Sequence, residues 1–183
     1  MAEAAVMKKK YTYEDYLKTP DDVRYELIEG DLIMTPAPNI EHQTILGELG
    51  YQIMKFVKEN NLGRVFYAPC DVYLDQENVL EPDILFVSKE RLNIIGKKNI
   101  QGAPDLVVEI VSESNAYRDV IQKKRLYAGF GVREYWLVVP GEKMIEVYNL
   151  GKKGYQLSQT CFVGDILESQ VLKGFKPELR EIF

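Results

Sequence analysis

The sequence predicts an α/β fold of the mixed (α+β) kind: a β-sheet flanked by helices, with additional strands toward the N- and C-termini. Three features carry that expectation. Residues Leu106 to Val111 are apolar on both faces apart from Glu109, as a strand in the middle of a covered sheet requires. Residues 105–139 read strand, helix, strand, the order of a right-handed parallel crossover. A long amphipathic helix, from about Ile40 to Asn60, supplies an apolar face to cover such a sheet.

The elements follow in order. The first ten residues, MAEAAVMKKK, read as a disordered lead, and residues 11–183 as a single domain. Thr12 and Asp15 form a variant capping box that opens a short helix, Tyr13 to Lys18, ended by Pro20-Asp21-Asp22. RYELIEGDLIMT holds two β-rich runs around Glu29-Gly30-Asp31, the pattern of a tight hairpin. Asn39 is placed to cap the long helix, whose Ile45, Leu46, Leu49, Ile53, Met54, Phe56 and Val57 follow helical spacing. Asn61 and Gly63 end it. Three strands are expected next: Arg64 to Ala68, Asp71 to Leu74, and Leu80 to Val87. Residues 88–103 read as a surface excursion with a helical turn. After the central run comes a helix from about Asn115 to Phe130, ended by Gly131. Strands Arg133 to Val139 and Met144 to Asn149 meet at Pro140-Gly141. The tail reads as one or two short strands and an irregular end.

Composition narrows the function classes. Hydrophobic residues make up 46% and charged residues 28%, ordinary for a soluble globular protein. The net charge of −5 argues against a generally basic nucleic-acid coat but leaves room for a local basic groove. No run has the length of a membrane span or a signal core, so the expected location is cytoplasmic. Cys70 and Cys161 are the only cysteines and read as reduced core residues. The single histidine, His42, excludes a His-rich metal site. Carboxylates and carbonyls remain as ligands, and they select a hard ion such as Mg²⁺ or Mn²⁺.

A carboxylate in an apolar strand needs compensation, which makes Glu109 the residue to explain. Asp105 lies on the same strand and face, but four residues of strand span roughly 13 Å. Two acids sharing one Mg²⁺ must approach within roughly 4 Å, so Asp105 is a poor co-ligand. Asp83, in EPDILFV, would face Glu109 across about 5 Å if the two strands were neighbours. Two anions that close repel unless a cation sits between them. The plainer reading is a strand-entry aspartate and a salt-bridged core acid. On the following helix Lys123 and Lys124 fall on either side of the middle of the apolar arc, and periodicity does not choose between them.

An Asp on one strand, a Glu on the next and a Lys on the following helix resemble the PD-(D/E)XK, restriction-endonuclease-like superfamily in its migrated-lysine variant. RYELIEGDL, EHQTILGEL, EPDILFV, APDLVVEIVSES and KRLYAGFGVREYWLVVP, in this order, resemble the Uma family of bacterial restriction endonucleases. The resemblance runs from about Tyr11 to the C-terminus. It implies a restriction-endonuclease-like fold and a Mg²⁺- or Mn²⁺-dependent endonuclease acting on DNA. Asp83 matches the motif aspartate and Glu109 the motif acid, while Val111 stands where the superfamily's usual lysine would be. Lys123 matches the relocated lysine, and Glu26 an N-terminal acid that completes such sites. His42 and Gln43 match the family's HQ and are expected to support the site. The family often has Pro where Glu113 stands and Asp where Val139 stands, differences outside the proposed metal site.

On this reading Asp83, Glu109 and the backbone carbonyl of Ile110 would hold the ion, with Glu26 as a further ligand, and Lys123 would act on the attacking water or the transition state. A homodimer is expected, because cutting both strands favours a twofold arrangement. Two rivals predict different outcomes. A non-catalytic module that binds nucleic acid or protein would use Lys97, Lys98, Arg118, Lys124 and Arg125 as phosphate contacts, indifferent to metal. An assembly protein would pair Lys123 directly with Glu109.

Overall fold

The structure, a computed structural model, describes residues 9–20, 22–112 and 117–183, with nothing described for the side chains of residues 117–119. Most of the expected lead (residues 1–8), Asp21 and the helix start from Glu113 to Ala116 lie outside the described residues.

Two sheets form where one was expected. The smaller is built from β1 (Tyr25–Ile28), β2 (Asp31–Met34), β4 (Val72–Asp75), β5 (Asn78–Leu80) and β7 (Ile100–Gln101), in the order β2-β1-β5-β4-β7. The larger contains β3 (Gly63–Tyr67), β6 (Ile84–Ser88), β8 (Leu106–Ile110), β9 (Glu134–Val139), β10 (Met144–Gly151) and β11 (Gly154–Phe162), in the order β11-β10-β9-β8-β6-β3. Both sheets are mixed: β4 runs parallel to β7 and β8 parallel to β9, and the remaining pairs are antiparallel. The strand–helix–strand unit thus has the parallel pairing its order predicts.

The division into two sheets has a local cause. The run expected as one strand, Leu80 to Val87, breaks at Glu81-Pro82-Asp83, leaving β5 in the small sheet and β6 in the large one. Proline has no N–H for a ladder hydrogen bond, so a central strand cannot run through it. The β1–β2 hairpin closes through Glu29 and Gly30, both at positive φ (50° and 78°), as a two-residue turn of matching twist requires. The tail forms a single nine-residue strand, β11, rather than two short ones, then an irregular stretch and a short helix, α4 (Leu179–Ile182). The first helix, α1 (Tyr13–Tyr16), is likewise shorter than expected.

The long helix, α2 (Ile40–Glu59), is capped by Asn39, whose side chain accepts from the His42 backbone N–H at 2.8 Å. Its Ile45, Leu49, Ile53 and Val57 cover one face of the large sheet, against Ile84, Phe86, Leu106, Val108 and Ile110. The second long helix, α3 (Tyr117–Phe130), packs Val120, Leu126 and Tyr127 on the other face, together with Val107 and with Ile28, Val72 and Leu80 of the small sheet. Each fully buried aliphatic side chain of these layers contributes roughly 1.5–3 kcal/mol relative to exposure. Cys161 is buried, Cys70 half-buried, and both are free thiols. Among the described residues no helix is long and apolar enough to cross a membrane.

The alternation along β8 positions the site. Leu106, Val108 and Ile110 face α2; Val107, and with it Asp105 and Glu109, face α3 and the small sheet.

Candidate active site

Glu109 is buried in the middle strand of the large sheet, with 6% of its surface exposed. Its strand, β8, runs antiparallel to β6, with Ile84 opposite Val108. Asp83, one residue before β6, therefore stands opposite Glu109 in the same register, the arrangement expected if the two strands were neighbours. The Asp83 carboxylate accepts from the Ile110 backbone N–H at 2.7 Å, which ties it to the end of β8.

Lys123 brings a cation to these acids. From α3 its Nζ lies 2.8 Å from Glu26 Oε1 on β1 and 3.5 Å from Glu109 Oε2. Tyr127, one helical turn on, donates its hydroxyl to Glu109 Oε1 at 2.7 Å. Sequence reasoning gave Tyr127 no role in the site. The signal that could have found it is the i, i+4 spacing from Lys123, which puts both side chains on one helix face. Glu26 also accepts from the Glu81 backbone N–H at 2.8 Å, and Arg24 pairs with Glu81 at 2.7 Å. Two more residues, Arg24 and Glu81, thus stand in the cleft with no role read from the sequence.

His42 has a closer relation to the acids than its place at a helix start implied. Its Nε2 is 3.2 Å from Asp83 Oδ1, while its Nδ1 is buried without a hydrogen-bond partner among the described residues. Gln43 is exposed beside it. The first turn of α2 therefore reaches the aspartate directly.

Two adjoining hollows, both bordered by Thr35, Pro36, Glu109 and Lys123, make one cleft. Four carboxylates line it (Glu26, Glu81, Asp83 and Glu109) beside two permanent cations, Arg24 and Lys123. That imbalance shows in the ionisation of the groups. Burial, with Asp83 and Glu26 adding to it against the opposing charge of Lys123, pushes the Glu109 carboxyl up to about 8. Burial opposes charge on Lys123, but Glu109 and Glu26 outweigh it and hold the ammonium above its ordinary range. Burial likewise opposes charge on His42, and the hydrogen bond and charge of Asp83 outweigh it, raising the imidazole.

Among the described residues, no three His, Cys, Asp or Glu side chains are already gathered as a metal cage. Mg²⁺ does not need one: it retains several waters and is held by one or two carboxylates plus substrate oxygens. Two facing acids in a cleft of excess negative charge suit that mode. Glu109 Oε2, with only the long 3.5 Å contact to Lys123, is the less engaged of that carboxylate's oxygens.

The remaining sequence candidates lie apart. Asp105 is fully buried and held by the Ser88 N–H at 2.7 Å, Arg91 at 3.0 Å and Arg133 at 2.8 Å. Arg125 pairs with Glu29 at 2.6 Å, and Lys124 lies over the Tyr148 ring at 3.2 Å. Lys97 and Lys98 precede β7, four strands from the cleft-side β2, which is roughly 19 Å. The side chain of Arg118 is outside the described residues.

Comparison with known proteins fits this architecture. A crystal structure of a protein from Anabaena variabilis, titled a "putative nuclease", superposes with a TM-score of 0.78 at 22% identity, covering 94% of this chain and 97% of that one. At that identity the likeness speaks for the fold. No curated protein matches the sequence. Residues 13–180 match the Uma2 family, described as "Putative restriction endonuclease". The chain belongs to that family.

Proposed function

We propose that this protein is a Mg²⁺- or Mn²⁺-dependent endonuclease that hydrolyses DNA phosphodiester bonds at a site made by Asp83, Glu109 and Lys123. The observation that carries the proposal is the meeting of Asp83 and Glu109 across adjacent antiparallel strands, with Lys123 reaching Glu109 from α3. Asp83, Glu109 and the Ile110 carbonyl would hold the ion, with Glu26 joining through a water or a second ion. A bound divalent ion lowers the pKa of its water and neutralises charge on the phosphate.

The protein's own groups set the rest. Lys123 is held in its charged form by two carboxylates, so it acts as an electrostatic donor rather than a base. Its ammonium orients the attacking water and stabilises the negative charge that grows on the phosphoryl oxygens. Tyr127 fixes one oxygen of Glu109, and the Ile110 N–H one oxygen of Asp83, so both carboxylates are orientated before substrate arrives. His42 holds the other oxygen of Asp83. A twofold dimer of such subunits would cut both strands of a duplex.

A second reading has an observation of its own. The Lys123 contacts to Glu26 and Glu109 are what an assembly protein with paired core acids would also form. Calorimetric titration of Mg²⁺ or Mn²⁺ into wild type and Glu109→Ala separates the two. Binding by wild type that disappears in the variant supports the nuclease. Absence of binding in both leaves the ion-pair reading standing.

A further inference from the structure

The exposed side of α2 carries a feature that the catalytic proposal does not use. Gln43, Leu46, Gly47, Tyr51 and Met54 of α2, with Tyr67 of β3, line a groove on the outer side of the large sheet. Gln43 and Leu46 also line the hollow that contains Asp83, His42 and Glu109, so the groove is a continuation of the cleft. From Gln43 to Met54 it follows the helix for eleven residues, roughly 16 Å.

Its floor is built in advance. The Tyr67 ring is pressed against Gly50, where any Cβ would come within 2.6 Å of it, and its hydroxyl donates to the Gly50 carbonyl at 2.8 Å. Gly47 has no atom within 4 Å of where a Cβ would be, which leaves the middle of the groove open. Tyr51 stands at its side with 62% of its surface exposed, which leaves its ring open to a partner. On a helical wheel Gly47, Tyr51, Lys55 and Lys58 fall within an arc of roughly 80°. Both lysines are exposed, one and two turns beyond Tyr51.

We propose that this groove receives a nucleic-acid strand with unpaired bases, one of which stacks on Tyr51 while Lys55 and Lys58 contact its phosphates. The inference rests on the nuclease reading, because continuity with the cleft identifies the occupant as the continuing chain of the cleaved polymer. A paired duplex offers no free base face to an aromatic side chain, whereas an unpaired strand offers one at every nucleotide. The Gln43 amide, at the junction with the cleft, can donate to or accept from a base edge.

The test is fluorescence anisotropy in EDTA, so that no cleavage intervenes, with a labelled single-stranded oligonucleotide and its fully paired duplex. Wild type is expected to favour the single strand. Tyr51→Ala should weaken single-strand binding about tenfold, and Tyr51→Phe should keep it. Lys55→Ala/Lys58→Ala should flatten the salt dependence. Tyr51 is exposed, so thermal melting of the variant should match wild type. Equal affinity for strand and duplex, or unchanged single-strand affinity in Tyr51→Ala, overturns the proposal; the second result also fits an apolar peptide as the occupant. Hydrolysis of bis(p-nitrophenyl) phosphate by wild type reports separately on the metal site, because that diester is too small to bridge to Tyr51.

Discussion

Asp105, one residue before β8, and Glu109, within it, lie on one face, four residues apart, and both are buried. Their surroundings differ. Asp105 meets a backbone N–H and two arginines, all within 3.0 Å. Glu134, on the neighbouring strand, is similarly saturated by Trp136, Ser169 and two backbone N–H groups. Glu109 has one close donor, Tyr127, and a lysine it shares with Glu26. Burial alone therefore does not mark a working acid. What sets Glu109 apart, and what the proposed function uses, is unused hydrogen-bonding capacity at the open end of a strand and beside a second acid.

The contrast is sharpest under substitution. Asp83→Ala and Glu109→Ala should lower DNA cleavage at least roughly a thousandfold while circular dichroism shows the fold intact. Cleavage that survives in Asp83→Ala would remove the assignment. Asp105→Asn should do the reverse, costing roughly 1–3 kcal/mol of stability in denaturant melts while activity per folded molecule persists.

A pH series refines the comparison. Glu109 has a folded-state value near 8, above the ordinary carboxylate range, so the folded state keeps a proton that the unfolded state loses. The associated stability is fully present below the unfolded value and is lost as pH rises through about 8. Glu109→Gln has no such group. Its melting temperature, relative to wild type, should therefore rise between pH 5 and pH 9. A constant difference across that window would show that Glu109 is ionised throughout.

His42→Asn tests the support around Asp83 and should reduce metal affinity or cleavage roughly 10–100-fold, measured by calorimetry and oligonucleotide assays. The smallest effect is expected from Lys97→Ala/Lys98→Ala. At the far edge of the small sheet this pair should leave the salt slope of DNA binding unchanged, whereas direct phosphate contact would lower it by about two.

Much of this arrangement was legible in the chain. The apolar run around Glu109 required a central strand, and the strand spacing that rejected Asp105 pointed to Asp83, whose strand is indeed the neighbour. The two-sheet division was less visible, because β5 and β6 read as one continuous apolar run and only Pro82 marks the break. The choice between Lys123 and Lys124 needed resemblance: a wheel places both near the apolar arc, and only tertiary packing turns one toward Glu26 and the other onto Tyr148. The contact that His42 makes was not legible, because a residue near a helix cap has an adequate local explanation. Its contact with Asp83 depends on how α2 enters beside β6, which no local pattern encodes.

The three-residue passage Glu81-Pro82-Asp83 links the two sheets beside the cleft. Asp83 opens the large sheet, while Glu26, which holds Lys123, belongs to the small one, and the Glu81 backbone joins them through its bond to Glu26. On the proposed mechanism, activity would therefore be a sensor of docking between the two sheets. Gentle heating that loosens the hairpin should silence the enzyme before the core melts, and mutations far from any carboxylate can inactivate it by the same route.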